Sequence, residues 1–146
     1  MKFNKFSKPV RHFSLLGFFL CICQLGNAQL STSFYTNNHL SKVGVGYEFN
    51  EKLWSEVRFY SGTNIHGITP EVVLNYNFRR KEYYDAYIGG GLVVNYFDGI
   101  VIQAGVLIKP IQELPNLSLI IELQPLYEGG YNQMFLNGFG GLRFRF

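Results

Sequence analysis

Apolar and polar residues alternate along most of the chain beyond residue 30. Val43, Val45, Tyr47 and Phe49, for example, are separated by Gly44, Gly46 and Glu48. This repeat of two predicts a β-strand, because successive side chains of a strand point to opposite faces. The pattern recurs in six later segments, at residues 53–60, 71–78, 84–92, 100–108, 117–124 and 140–146. The alternation therefore predicts seven strands.

An eighth strand is predicted at residues 30–36, Leu-Ser-Thr-Ser-Phe-Tyr-Thr. Its alternation is poor, but its β-branched and aromatic residues favour a strand. An even number of strands is expected of a single-chain bacterial transmembrane barrel. We therefore predict eight strands.

The connections between these strands fall into two sets that also alternate. One set is short and polar, at residues 50–52, 79–82 and 110–116. The other is richer in Gly, Asn and aromatic residues, at residues 37–39, 61–67, 95–99 and 127–137. If the first strand starts in the periplasm, the polar set lies on the periplasmic side, the other set lies outside, and the last strand ends in the periplasm. The polar run Arg79-Arg80-Lys81 would then meet solvent and anionic lipid headgroups.

Each strand has one apolar face and one polar face. The polar faces carry the charged residues Glu48, Glu56, Arg58, Glu71, Asp85, Glu122, Arg143 and Arg145. In a transmembrane barrel the apolar face meets lipid, whereas in a soluble barrel it fills the interior. Alternation alone does not decide between these arrangements.

The first 28 residues have the three-part layout of a secretory signal peptide. Residues 1–12 are basic and polar, residues 13–25 are apolar, and Gly26 and Ala28 supply small side chains for cleavage after Ala28. The apolar run is shorter than the roughly 20 residues of a membrane-spanning helix. An uncleaved anchor helix, or lipidation at Cys21 or Cys23, is the alternative. We expect residues 1–28 to be the signal peptide and residues 29–146 to be the barrel.

Removal of the first segment changes the charge and the available chemistry. The thirteen basic residues fall to nine, because Lys2, Lys5, Lys8 and Arg11 are lost, and they face ten acidic ones. No basic surface remains to bind nucleic acid. Both cysteines also lie in this segment, and the two remaining histidines are far apart, so we predict no disulfide, no metal site and no cofactor.

The chain ends in Gly-Gly-Leu-Arg-Phe-Arg-Phe. Gly141, Leu142, Phe144 and Phe146 resemble the C-terminal assembly signal of outer-membrane barrels, which implies recognition by the barrel-assembly machinery. Phe139 departs from the pattern, since a polar residue is usual seven positions before the end. The apolar face also carries aromatic residues at strand ends, as expected of an interfacial girdle: Phe49, Phe78, Tyr84, Phe144 and Phe146. Together with the signal peptide and these aromatics, this ending favours the lipid-facing orientation.

The whole predicted barrel resembles a known family. Residues 42–49 and 117–125 are of the type seen in the small outer-membrane β-barrel (porin-like) proteins of Bacteroidota. The resemblance implies an all-β, eight-stranded, antiparallel up-and-down transmembrane β-barrel in the cell outer membrane of a Gram-negative bacterium, surrounded by outer-membrane lipid. The family shares an architecture rather than a reaction, so no catalytic residue is implied.

The interior of an eight-stranded barrel is just wide enough for side chains to fill it. We predict that six of the charged residues form an ion-pair network in the lumen: Glu56, Arg58, Glu71, Glu122, Arg143 and Arg145. Each arginine is expected to contact one of the three glutamates, because unpaired buried charge is costly. A narrow path for ions or protons is the alternative.

The sequence favours a monomeric, non-enzymatic barrel with a structural or surface-interaction role. One alternative is a rim enzyme acting on lipid or peptide, with His39 or His66 beside Ser41 or Ser61 and an acid, Asp98 or Glu128. Another is a secreted soluble barrel that carries a small apolar ligand. Aromatic residues near the outer connections are expected to form an interfacial girdle, or else an adhesive patch: Tyr96, Phe97, Tyr127, Tyr131 and Phe135.

Overall fold

Every regular element that the structure describes is a β-strand. The computed structural model describes residues 29–61, 68–95, 98–130 and 132–146. The predicted signal peptide lies outside these residues, as do His66, Tyr96, Phe97 and Tyr131. Within the described ranges, no helix has the length and apolar character needed to cross a membrane.

The strands follow one another around a closed barrel. In chain order they are β1 (Gln29–Thr36), β2 (Ser41–Glu48), β3 (Leu53–Ser61), β4 (Pro70–Arg80), β5 (Tyr84–Val93), β6 (Gly99–Ile108), β7 (Leu117–Glu128) and β8 (Gln133–Arg145). Each strand pairs antiparallel with the next, and β1 pairs antiparallel with β8. The predicted fold class is therefore confirmed, including the first strand.

The closing seam is shorter than the last hairpin. β1 and β8 pair over six positions, from Ser31 opposite Arg145 to Thr36 opposite Gly140. β8 continues to Gln133, but beyond Gly140 it pairs only with β7. The β7–β8 hairpin therefore rises above the end of β1 on the predicted outer side.

Two connections differ from the sequence prediction. The outer loop predicted at residues 127–137 is largely strand, and only residues 129–132 lie outside β7 and β8. Consecutive apolar residues at 134–136 hide the alternation there. On the other side, Arg79 and Arg80 end β4 rather than forming a turn, and the pairing register with β5 shifts between Asn77 and Arg79.

The apolar face of the barrel points outward. Val45, Leu74, Ile102 and Ile121 are each at least half exposed, whereas Arg58 is fully buried. A soluble barrel has the reverse arrangement, so the prediction of a lipid-facing exterior is confirmed. Over the height at which β1 and β8 pair, the closed barrel leaves no unpaired sheet edge, which is what a hydrocarbon environment requires.

Two apolar clusters and a polar cluster fill the interior. The first apolar cluster contains Tyr35, Trp54, Tyr87, Leu107, Ile120 and Phe139. The second contains Tyr60, Val73, Val93, Val101 and Leu126. Leu40, in the β1–β2 connection, packs against both of them. The polar cluster consists of charged side chains around Arg58. It contacts Tyr35 of the first apolar cluster and Tyr60 of the second, so it lies within the packed interior.

Candidate functional site

Arg58 is the hub of the polar interior. Its Nε lies 2.5 Å from Oε2 of Glu56, and its Nη1 lies 3.0 Å from Oε1 of Glu71 and 2.9 Å from Oε1 of Glu122. Glu71 sits directly opposite Arg58 in the β3–β4 ladder, whereas Glu122 reaches it from β7 across the lumen. The structure thus brings together four of the six residues predicted for the network.

Lys42 is a second buried cation, which the prediction omitted. Its Nζ lies 3.3 Å from Oε1 of Glu71, donates to Oε1 of Gln124 at 2.7 Å, and lies 4.0 Å from the ring centre of Phe139. The sequence did indicate that Lys42 points inward, because residues 42 and 48 lie on the same face of β2 and Glu48 belongs to the polar face. We define the central cluster as Lys42, Glu56, Arg58, Glu71 and Glu122.

Each carboxylate of the central cluster accepts a hydrogen bond from a tyrosine. The pairs are Tyr35 to Glu56 at 2.6 Å, Tyr60 to Glu71 at 2.8 Å, and Tyr87 to Glu122 at 2.6 Å. These bonds add to the arginine and lysine contacts, so no carboxylate of the cluster lacks donors. Buried polar networks stabilise a unique arrangement only when they are satisfied in this way.

The central cluster carries three carboxylates and two cations. The hydroxyl of Tyr35 both donates to Glu56 and accepts from Nη2 of Arg58 at 2.8 Å. Gln103 and Gln124 add amide contacts to Arg58 and Glu71. Neutral donors thus supply bonds that further cations would otherwise provide.

Arg143 and Arg145 lie outside the central cluster and form ion pairs with Glu48 near the predicted periplasmic end, whereas the prediction paired them with Glu56, Glu71 or Glu122. Nη2 of Arg143 and Nε of Arg145 lie 3.1 Å and 3.2 Å from Oε1 of Glu48. The guanidinium of Arg143 also lies 3.7 Å from the ring centre of Trp54. Both arginines are near the end of β8, level with the start of β1, and Glu48 at the end of β2 therefore lies beside them.

Asp85 joins a third charged group at the predicted periplasmic rim. Its carboxylate lies 3.0 Å from Nζ of Lys109 and 3.6 Å from Nε of Arg80. Asp85 is buried, whereas both partners are partly exposed. Arg80, from the basic run Arg79-Arg80-Lys81, is therefore engaged in an ion pair.

Two glycines make room for the buried network. A Cβ at Gly44 would lie 2.5 Å from Oγ of Ser33 and 2.8 Å from Oε1 of Glu56. A Cβ at Gly105 would lie 2.5 Å from the ring of Tyr87. These positions require glycine because the neighbouring side chains occupy the space that any other residue would need.

The residues of the resembled assembly signal lie on both surfaces of β8. Leu142, Phe144 and Phe146 are exposed on the lipid-facing side, and the two Phe rings make an edge contact at 5.3 Å. The N–H of Phe146 donates to the carbonyl oxygen of Leu30 at 2.9 Å. Gly141 packs directly against the carbonyl group of Phe34. The end of the chain therefore contributes to the closing seam.

The candidate catalytic residues His39 and Ser41 both lie within the described part of the chain. His39 is exposed, and its imidazole makes no hydrogen bond there with Ser41, Asp98 or Glu128. The hydroxyl of Ser41 instead contacts that of Thr36 at 3.0 Å. No group of three or more potential metal ligands occurs in these ranges. The described geometry provides no activated nucleophile.

Known proteins were compared with the chain in three ways. No family model and no curated protein matches it. Among solved structures, a designed transmembrane β-barrel is similar at TM-score 0.58 and 18% identity, covering 82% of this chain and 94% of that one. Neisserial surface protein A is similar at TM-score 0.56 and 16% identity, with the same coverage. The likeness in fold and the apolar exterior agree, so the chain has the architecture of an outer-membrane-type transmembrane β-barrel.

Proposed function

We propose that this protein is a non-enzymatic outer-membrane β-barrel with a closed lumen, and that its role is structural or depends on its outer surface. The observation that carries the proposal is the central cluster. Its five charged side chains are buried, and Arg58 links glutamates from three strands across the interior.

The filled interior argues against transport. An eight-stranded barrel has only enough internal width for its own side chains. Here Trp54, Tyr35 and Tyr87 are fully or almost fully buried beside the ion pairs. An ion path would have to displace packed aromatic rings and break buried salt bridges. A rigid, sealed scaffold is the better explanation of this interior.

The remaining predictions on location enter this proposal. The sequence-based signal peptide would deliver the chain across the inner membrane, and the barrel-assembly machinery would insert it as a monomer. Membership in the porin-like family of Bacteroidota stays a prediction from sequence resemblance. The apolar exterior supports residence among lipids, since hydrocarbon selects outward apolar residues on each strand.

The two alternative functions have less support. A carrier of an apolar ligand needs an apolar cavity, whereas this lumen holds charged and aromatic side chains in contact with one another. A rim enzyme needs a base beside its nucleophile, and His39 makes no such contact in the described residues. We therefore do not favour either.

Cell fractionation and conductance test the proposal together. The full-length protein would be produced in a Gram-negative host, and its outer-membrane fraction examined on gels with and without boiling. We expect membrane-bound protein whose unboiled form migrates differently. The purified barrel should then give no conductance steps in a planar bilayer, with a large porin as the positive control. Soluble periplasmic protein would refute the location, and reproducible steps would refute the closed lumen.

A further inference from the structure

A groove runs along the outer wall of the barrel where β1 ends. Its volume is about 590 Å³, within the roughly 300–1,000 Å³ typical of small-ligand sites. Three segments line it: residues 36–39 after β1, residues 121–123 of β7, and residues 136–140 of β8. It lies on the lipid-facing side, near the predicted outer end of the strands.

The outward-facing residues of β7 and β8 that line this groove are apolar. A Cβ added at Gly140 would meet no atom within 4 Å, and one at Gly138 would meet only Leu123 Cδ2, at 3.7 Å. The missing side chains leave a depression between Ile121, Leu123 and Leu136, which are all more than half exposed. The groove is therefore continuous with the surface that meets acyl chains.

The upper end of the groove is polar but uncharged. The Oδ1 of Asn37 accepts from the backbone N–H groups of His39 and Leu40 at 2.8 Å and 2.7 Å, which fixes the turn. Asn38 and His39 are left exposed at this end. Glu122 also lines the groove, but its carboxylate is bound to Arg58 inside the barrel.

The groove also borders an open strand edge. β1 stops at Thr36, opposite Gly140, while β8 continues to Gln133. Among the described residues, no strand pairs with β8 on this side beyond Gly140. Unpaired backbone groups favour a ligand with hydroxyl or amide groups close to its apolar part.

We propose that this groove binds one glycolipid of the outer leaflet. One acyl chain lies over Gly138 and Gly140, and the sugar headgroup bonds to the polar turn at Asn38 and His39. Among the described residues that line the groove there is no lysine or arginine, and amide and imidazole groups suit sugar hydroxyls better than a phosphate alone. The inference rests on the proposed outer-membrane location, because that location places the groove in the outer leaflet.

The test fills the groove while leaving the barrel intact. In Gly138→Leu/Gly140→Leu, new side chains occupy the depression, and the structure has space for both Cβ atoms. Gly90→Leu is the matched control, because a Cβ there meets only the Val101 carbonyl oxygen at 3.5 Å, away from the groove. Each full-length protein would be purified into nanodiscs of phosphatidylethanolamine containing lipid A, an acylated glucosamine disaccharide that also carries phosphate groups. Native mass spectrometry would count the retained lipids.

We expect the unmodified protein and Gly90→Leu to retain one lipid A. The lipid A occupancy of the groove-filled variant should fall about tenfold, because the new leucine side chains exclude the acyl chain and its methylenes are no longer buried. Asn38→Ala/His39→Ala should lower lipid A retention without changing phosphatidylethanolamine retention. Equal lipid A retention by the groove-filled variant would overturn the proposal, as would unmodified protein that retains phosphatidylethanolamine as well as lipid A.

Two further readouts separate this inference from the proposed function. Unboiled gel migration would establish that each variant is folded, and any variant that fails it would be replaced by the smaller Gly138→Val/Gly140→Val pair. Fractionation of cells tests location without reference to the groove. Unmodified protein that fractionates with the outer membrane but shows no selectivity for lipid A would therefore refute the groove alone.

Discussion

Replacement of Arg58 by Met tests the central cluster most directly. Met keeps an unbranched apolar side chain in the lumen but removes the guanidinium. The change eliminates contacts at 2.5, 3.0 and 2.9 Å to Glu56, Glu71 and Glu122. The three carboxylates then share one buried cation, Lys42, instead of two.

The expected cost follows from this imbalance. Removing one member of a buried ion pair leaves an uncompensated charge and typically costs about 3–5 kcal/mol. Arg58 serves three carboxylates at once, so we expect the loss in unfolding free energy to lie at the upper end of about 3–5 kcal/mol. Tyr35 also loses the donor at 2.8 Å from its hydroxyl.

A second substitution makes the reasoning quantitative. Glu122 receives two bonds from Arg58, at 2.9 and 3.0 Å. Glu122→Gln removes the charge that Arg58→Met leaves without its partner. The double variant should therefore be less destabilised than the sum of the single variants, with a coupling energy of about 1–3 kcal/mol.

Urea unfolding from lipid vesicles measures both quantities. Trp54 is the single tryptophan of the sequence, and it is 1% exposed in the lumen, so its fluorescence reports opening of the barrel. Arg80→Met is the matched control, because this arginine is 30% exposed at the rim. Its loss should cost no more than about 1 kcal/mol.

Two results would refute this account. One is an unfolding free energy of Arg58→Met within about 1 kcal/mol of that of the unmodified protein, as for the partly exposed control. The other is simple additivity of the effects of Arg58→Met and Glu122→Gln. Either result would mean that the ion pairs of the central cluster do not stabilise the barrel.

Three further perturbations test other parts of the structure. Gly44→Ala should cost about 1–3 kcal/mol from overpacking, whereas Gly140→Ala should be nearly neutral; the same urea titration distinguishes them, and equal costs would contradict the close contacts at Gly44. Val45→Arg, on the lipid-facing side, should cost about 2–4 kcal/mol, and its control Val45→Leu should cost little; an unchanged unfolding free energy for the arginine variant would oppose the membrane orientation. Phe146→Ala should slow assembly by purified machinery, measured as the appearance of the heat-modifiable band, with Phe49→Ala as the control; equal rates would contradict the resemblance to an assembly signal.

The fold could be predicted because lipid imposes a rule on every strand. Outward positions must be apolar throughout the bilayer, so the period of two survives in segments such as β2 and β7. The rule weakens beyond the apolar band. At Met134, Phe135 and Leu136 the residues are apolar in succession, so the upper part of β8 could not be separated from a loop.

The lumen was harder to predict than the wall. Strand parity identifies which residues point inward, but the heights of two inward residues depend on the stagger between strands. Arg58 and Arg143 both point inward, yet one meets Glu122 and the other meets Glu48. The alternation along β2 would have placed Lys42 in the lumen network, whereas its partners there follow only from the register between the strands.

The closing seam makes folding depend on a pairing between the first and the last strand of the barrel. β1 must leave one side unpaired until β8 arrives, because Ser31 pairs with Arg145. An exposed strand edge invites pairing with other chains, and contacts so distant in sequence form slowly. Until β8 arrives, the half-built sheet would therefore need protection at that edge, and the N–H of Phe146, which donates to the carbonyl oxygen of Leu30, helps to close it.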